Sequence, residues 1–366
     1  MSQRGAVAFL LLFTLEGNLH AASPLGGPEH LASLLTANAP EISRMKVGLA
    51  GGESKPEWTR LRAEIDAAAH QRDAAWSGLY WHTSLPEALA AAKREGKPVL
   101  SLRLLGNLDE ELSCANSRFF RTTLYANEAV SEELRKNWIL HWESVRPAPK
   151  VSIDFGDGRT LVRTVTGNSL HYVLGADGRP RDVIPGLWGP GDFLRRVREA
   201  RAATMHFRDA ASSPPEPRSP FKENPLFSSS EASISSSSSL DANSLLLMRA
   251  TAARMDDAAF ARLVSAFERT LAEDTARNAV MRLTILPWLA GASSLPALTE
   301  RIYRDAFLTP RSDPWLGLLA PDAYTAIEGD PAAGPMGPNA FRAGSLALSK
   351  LAAERPLLAK VAPANR

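Results

Sequence analysis

The stretch "TSLPEALAAAKREGKPVLSLRLLG" changes its hydrophobic period in mid-course, and that change restricts the possible folds more than any other feature of the chain. Up to Gly96 it reads as a helix, with Ser84 as N-cap, Pro86 in the first turn, an alanine-rich body and Gly96 as the stop ahead of Pro98. From Val99 to Leu105 it becomes an apolar run of strand length. A helix delivered directly into a short, continuously apolar strand is the start of an α/β layer, because such a strand needs cover on both faces.

The segments that follow keep to that plan. "CANSRFFRTTLYANEAVSEELRKNW" reads as a helix that breaks near Ala126-Asn127 and a second helix after it; "ILHWESV" is a strand. In "KVSIDFGDGRTLVRTV", Val151, Ile153 and Phe155 alternate on one arm and Leu161, Arg163 and Val165 on the other, with Asp157-Gly158 at the turn of a hairpin. "SLHYVLGADGRPRDVIPG" is a second hairpin turning at Asp177-Gly178, and "GPGDFLRRVREAR" is a closing helix capped near Asp192. Residues 23–81 carry helical spacing, for example Trp58, Leu61, Ile65, Ala68 and Ala69. Residues 206–242 are Pro-rich and then Ser-rich, too poor in apolar surface to offset chain entropy, and read as a flexible linker. Residues 243–366 read as a second helical region, with a stripe of Phe260, Leu263, Val264, Phe267 and Leu271 and a further helix from Leu295 to Phe307.

The element order over 82–201 and several phrases within it resemble the thioredoxin-like family. "EALAAAKREGKPVL" is similar to the helix and first central strand of its bacterial members. "YANEAVSEELRKNWILHW" and "YVLGADGRPRDVIPGLWGPGDFLRRV" are similar to the family's later helix and closing hairpin. The resemblance implies a thioredoxin-like α/β domain over 82–205, a mixed sheet with flanking helices, between helical N-terminal and C-terminal regions. Counting back eleven residues from Tyr125, as the family's spacing suggests, reaches Cys114, the only cysteine of the chain. The family's C-x-x-C then stands here as Cys114-Ala115-Asn116-Ser117. Ser169 takes the place of the usual cis-proline, where a trans peptide is expected, because cis costs about 2.5–4 kcal/mol at a non-proline bond. The place of the family's buried acid falls near Leu102, with Arg103 beside it.

Two readings of this site stand side by side. In the first, Cys114 is a nucleophile at a helix N-terminus, where unpaired N–H groups favour the thiolate, and Ser117 is its hydrogen-bond partner. Asn116, Asn168 and Ser169 line the substrate groove. A single thiol has no internal resolving partner, so the chemistry is exchange or isomerisation with a protein or small-molecule thiol or disulfide. In the second, Cys114 is a small buried hydrophobe beside Leu112, Phe119 and Phe120, and the domain is a redox-inactive module for a peptide or partner protein. In that reading the same groove holds the partner and the C-terminal helices form part of the binding surface; a third possibility is a structural module whose helical region packs against the domain and closes the site. His141 and His171 lie on strands and are either partners of the thiol or ordinary strand residues.

Composition removes other classes. Lys plus Arg number 42 against 40 Asp plus Glu, and the net charge of +2 gives no electrostatic reason to expect nucleic acid as the main partner. One cysteine excludes an internal disulfide and a thiolate zinc site, and no metal or cofactor is expected. Phosphate-binding loop, serine-elbow and H-E-x-x-H motifs are absent. Arg195, Arg196, Arg198 and Arg201 crowd one helix and read as its solvated face. "MSQRGAVAFLLLFTLEGNLHAASP" reads as a signal peptide over 1–22, with an apolar run from Ala6 to Leu15 too short to span a bilayer. Export to the periplasm or exterior follows from that reading, and a cytoplasmic location from the alternative of an N-terminal packing helix. Oligomeric state stays open.

Overall fold

The computed structural model describes residues 27–164, 167–211, 240–252 and 255–312. The signal-peptide reading of 1–22, most of the linker and the tail beyond 312 lie outside the described residues.

The protein is mixed α/β, built on a four-stranded mixed sheet with flanking helices. Strand β1 (Val99–Leu105) runs parallel to β2 (Ile139–Arg146) and antiparallel to β5 (Leu170–Leu174), which pairs antiparallel with β6 (Pro180–Pro185), giving the order β2-β1-β5-β6. Every residue of β1 and β5 is buried, the polar Ser101, Arg103 and His171 included. The parallel pair requires a crossover. It is made by α6 (Ala115–Phe119), a π-helical turn (Phe120–Leu124) and α7 (Glu128–Asn137). Asn127 caps α7, its Oδ1 accepting the Val130 N–H at 3.2 Å, so the break expected at Ala126-Asn127 is a helix start. Upstream, α5 (Leu85–Glu95) starts at Ser84 and ends on Gly96, whose φ of +65° explains the glycine. Outside β2, the His82 N–H donates to the Leu140 carbonyl (2.9 Å) and the Trp142 N–H to that of His82 (3.1 Å), a single parallel bridge. Strands β3 (Lys150–Asp154) and β4 (Thr160–Thr164) form a separate hairpin between β2 and β5.

Leu100, Leu102 and Leu104 point to one face of the sheet, under Phe119, Phe120, Leu124, Val130 and Leu134, together with Phe193 and Val197 of α8 (Pro190–Ala211). Val99, Tyr172 and Val183 point to the other, under Ala88, Ala91 and Ala92 of α5. The C-terminal helices complete both faces. In α10 (Asp257–Ala290), Leu271 belongs to the first cluster and Ile285, Leu286 and Trp288 to the second, so this helix passes around the β6 edge. There Arg282 donates from Nε and Nη2 to the two carboxylate oxygens of Asp182 on β6 (2.9 and 2.8 Å), both side chains fully enclosed. Covering an edge strand in this way removes a template for unwanted pairing. Helix α11 (Leu295–Arg301) and a second π-helical turn (Ile302–Ala306) lie on the same side, contributing Leu298, Ile302 and Tyr303.

The linker is shorter at both ends than composition suggests. Helix α8 continues through Ala211, because "MHFRDAA" has no proline, glycine or serine to stop it. Leu240 is already buried, and the Asp241 carboxylate caps α9 (Ala242–Thr251) through the Ser244 N–H at 2.8 Å. The N-terminal helices α1 (Pro28–Ala37), α2 (Ala39–Ala50), α3 (Pro56–Ala69) and α4 (Ala74–Ser77) enclose their own cluster of Leu31, Ile42, Met45, Trp58 and Ile65.

Candidate functional site

Cys114 is the N-cap of α6: its backbone is extended (φ −64°, ψ 167°) and Sγ accepts the Ser117 N–H at 3.4 Å. A sulfur thus fills the place normally taken by the oxygen of Ser, Thr, Asn or Asp. Nothing of Cys114 reaches solvent; its exposure is 0%. Ser117 is equally enclosed, and its hydroxyl oxygen has no hydrogen-bond partner.

The residues named as a site from sequence do come together. Asn116 Nδ2 donates to Ser169 Oγ at 3.0 Å, joining the Cys114 helix to the loop before β5. No described peptide bond is cis, that before Ser169 included. The groove between the two loops, however, is filled. The Tyr303 hydroxyl donates to the Asn168 carbonyl oxygen (3.0 Å), and Asn168 Nδ2 to Thr309 Oγ1 (3.0 Å). Gly167 lies so close to Leu105 that a Cβ there would sit 2.6 Å from its Cδ2. On the Asn168 side lies a cavity of about 10 Å3, lined by Leu105, Gly167, Asn168, Tyr303, Thr309 and Arg311. That is room for one water molecule and not for a peptide. The hydrogen-bonding groups of Asn116, Asn168 and Ser169 are therefore used inside the protein.

The surroundings reinforce the closure. Arg118 Nη1 donates to the Ser113 carbonyl (3.1 Å) and to Thr164 Oγ1 (3.2 Å), tying the end of β4 to the residue before Cys114. Arg121 is buried and donates to Asp73 Oδ2 at 3.0 Å, which anchors the segment to the N-terminal helices; burial pulls its pKa down and Asp73 opposes that. The acids before the motif have other partners: Glu111 pairs with Arg72 at 2.5 Å and Glu110 accepts from Asn107 at 2.7 Å.

Neither histidine is a partner of the thiol. His171 Nε2 lies 2.6 Å from the Tyr125 hydroxyl, and burial holds its pKa at about 3. His141 Nδ1 lies 2.8 Å from Ser101 Oγ, which itself accepts from Arg103 Nη1 at 2.7 Å. The Ser101 proton is then free to be given to a neutral imidazole. Burial first, then Arg103 and His82, bring the His141 pKa down to about 3. Arg103, on the central strand, also pairs with Glu143 at 3.0 Å and faces the ring of Tyr172. Sequence reasoning noted Arg103 without this network; the polar alternation Ser101–Arg103 inside an apolar strand was the available signal. Tyr303 and Thr309 carried none. Arg196 is buried rather than solvated, paired with Glu199 at 3.0 Å. Among the described residues no group of three or more His, Cys, Asp or Glu side chains is placed to hold a metal ion, and no helix is long and apolar enough to cross a membrane.

No protein-family model matches this chain, and no curated protein matches it.

Proposed function

We propose that the chain is a thioredoxin-like interaction module without thiol chemistry, in which the cysteine loop has become an internal joint between three parts of the protein. The thioredoxin-like reading is supported by the strand order β2-β1-β5-β6, the helical crossover that begins at Cys114, the closing hairpin followed by α8, and the parallel bridge at His82. The observation that carries the functional reading is the complete enclosure of the Cys114 sulfur while it caps its own helix. A thiol reacts only as an accessible thiolate. Here access requires local opening of the protein around Cys114, and the Tyr303–Asn168 and Asn116–Ser169 contacts are the ones we assign to that closure. With the groove filled from within, binding falls to the outer surface of the module.

The test is the rate at which an aromatic disulfide reagent modifies Cys114 at pH 8, in native protein and in denaturant. Opening that costs about 3 kcal/mol slows native labelling roughly a hundredfold relative to the unfolded chain. Native labelling as fast as that of the denatured chain, with an apparent pKa below the free-cysteine value of about 8.5, would reject this reading in favour of a working monothiol.

A further inference from the structure

The β3–β4 hairpin stands apart from the main sheet, and four of the five residues of β3 are exposed. Across its turn the Phe155 N–H donates to the Arg159 carbonyl at 3.1 Å. Hydrogen-bonded pairs alternate along an antiparallel ladder. In the register Ile153↔Leu161 and Val151↔Arg163, the amides of Val151 and Ile153 therefore face β4, and the N–H and C=O groups of Lys150, Ser152 and Asp154 face outward. Among the described residues no strand pairs with that outer edge.

The sequence of this edge, Lys150-Val151-Ser152-Ile153-Asp154, is complementary to itself when reversed. About Ser152, Lys150 falls opposite Asp154 and Val151 opposite Ile153. Neither Lys150 nor Asp154 forms an ion pair with a described residue; Asp154 Oδ1 only accepts the Gly156 N–H of its own turn, at 2.9 Å. Ile153 is 44% exposed and Phe155 54%.

We propose that β3 is a homodimerisation edge: two copies pair antiparallel about a twofold axis at Ser152. The outward backbone groups of Lys150, Ser152 and Asp154 then meet those of Asp154, Ser152 and Lys150 of the second copy, each an exchanging pair. The two hairpins become one four-stranded sheet. Lys150 and Asp154 form an ion pair at either end on one face, and Val151 packs beside Ile153 on the other. The interface is isologous, so it closes at two copies and does not propagate. Lysine on an open edge deters indiscriminate pairing; here the aspartate four residues on makes an exception of the chain's own edge. One strand a side is a small contact, so association is weak, concentration-dependent and reduced by salt. This inference is independent of whether Cys114 reacts.

Sedimentation equilibrium of the full chain, over a concentration series at low and high salt, reads the association. Wild type shows a rising average mass. Lys150→Glu and Asp154→Lys each place like charges opposite one another, and each associates at least about tenfold more weakly. Mixed in equal amounts the two variants form a heterodimer with both ion pairs restored, and the mass returns to the wild-type curve. Ser152→Pro removes an outward N–H and leaves the hairpin's own ladder intact, and it too abolishes association. A wild type that stays monomeric throughout overturns the proposal, as does a Ser152→Pro variant that dimerises normally or a mixture no heavier than its parts.

Discussion

Replacing Arg282 with methionine tests the most enclosed contact between the C-terminal helices and the sheet. The substitution leaves the Asp182 carboxylate on β6 without the bidentate partner that now holds both of its oxygens, in a position almost entirely shut off from water. Removing one member of a buried pair costs about 3–5 kcal/mol, chiefly because the remaining charge stays desolvated. For a protein of this size that lowers the melting temperature by roughly 6–20 °C, at about 2–4 °C per kcal/mol. Replacing both residues, with Asp182→Leu added, removes the stranded charge, and the double variant recovers most of the loss, to within about 1–2 kcal/mol of wild type. Urea unfolding of the four proteins of this cycle at pH 7 measures both effects. The same loosening of α10 accelerates labelling of Cys114, since this helix and the Tyr303 cover belong to one apolar cluster. A loss below about 1 kcal/mol in Arg282→Met, or a double variant worse than the single, refutes the reasoning: the pair would be hydrated and α10 only loosely seated.

Cys114→Ser keeps an N-cap acceptor and changes stability by less than about 1 kcal/mol, whereas Cys114→Ala loses about 0.5–2 kcal/mol; thermal melts distinguish them, and equal stabilities would remove the capping role. Tyr303→Phe deletes the bond to the Asn168 carbonyl, lowers stability by about 1 kcal/mol and quickens Cys114 labelling, and an unchanged labelling rate would show that Tyr303 is no part of the cover. Three groups with large shifts dominate the response to acid. His141 and His171, at about 3 when folded, take up protons only in the unfolded chain between their ordinary value near 6.5 and pH 3, so each loses stability as pH falls. Asp66, raised by burial to about 6, binds its proton first in the folded state and so gains stability between pH 6 and its ordinary value near 3.8. From pH 6 to 4 these three groups together favour unfolding by one proton, about 1.4 kcal/mol per pH unit; His82, lowered by burial, adds to that and Asp109 and Asp274, raised by burial, oppose it, and a urea midpoint whose pH slope is unchanged when His141 and His171 are both replaced by Gln would contradict the histidine part.

The sequence announced what is local. Ser84 and Gly96 bound a helix because capping and left-handed backbone are properties of a few residues, and the strand Val99–Leu105 and both hairpins follow from period and turn chemistry in the same way. The meeting of Asn116 with Ser169 was legible only through the family resemblance, since 53 residues separate them. The cover of the site was not legible. An apolar stripe from Phe260 to Leu271 states that a face is buried but not what it is buried against, and Tyr303 reaches Asn168 across 135 residues. Leu263 on that stripe is in fact exposed, because α10 leans on the domain only from Phe267 onward. The two π-helical turns left no trace in the periodicity, each being a single wide turn within a short helix.

The passage of α10 around β6 bears on how the polypeptide matures. A ribosome delivers the sheet strands first and α10, which roofs them, only about seventy to a hundred positions after β6, with the Pro- and Ser-rich stretch in between. Until then the nascent sheet has a bare flank and an Asp182 without its guanidinium. A fragment cut at the linker, however domain-like its composition, would remain in that unfinished condition and invite aggregation.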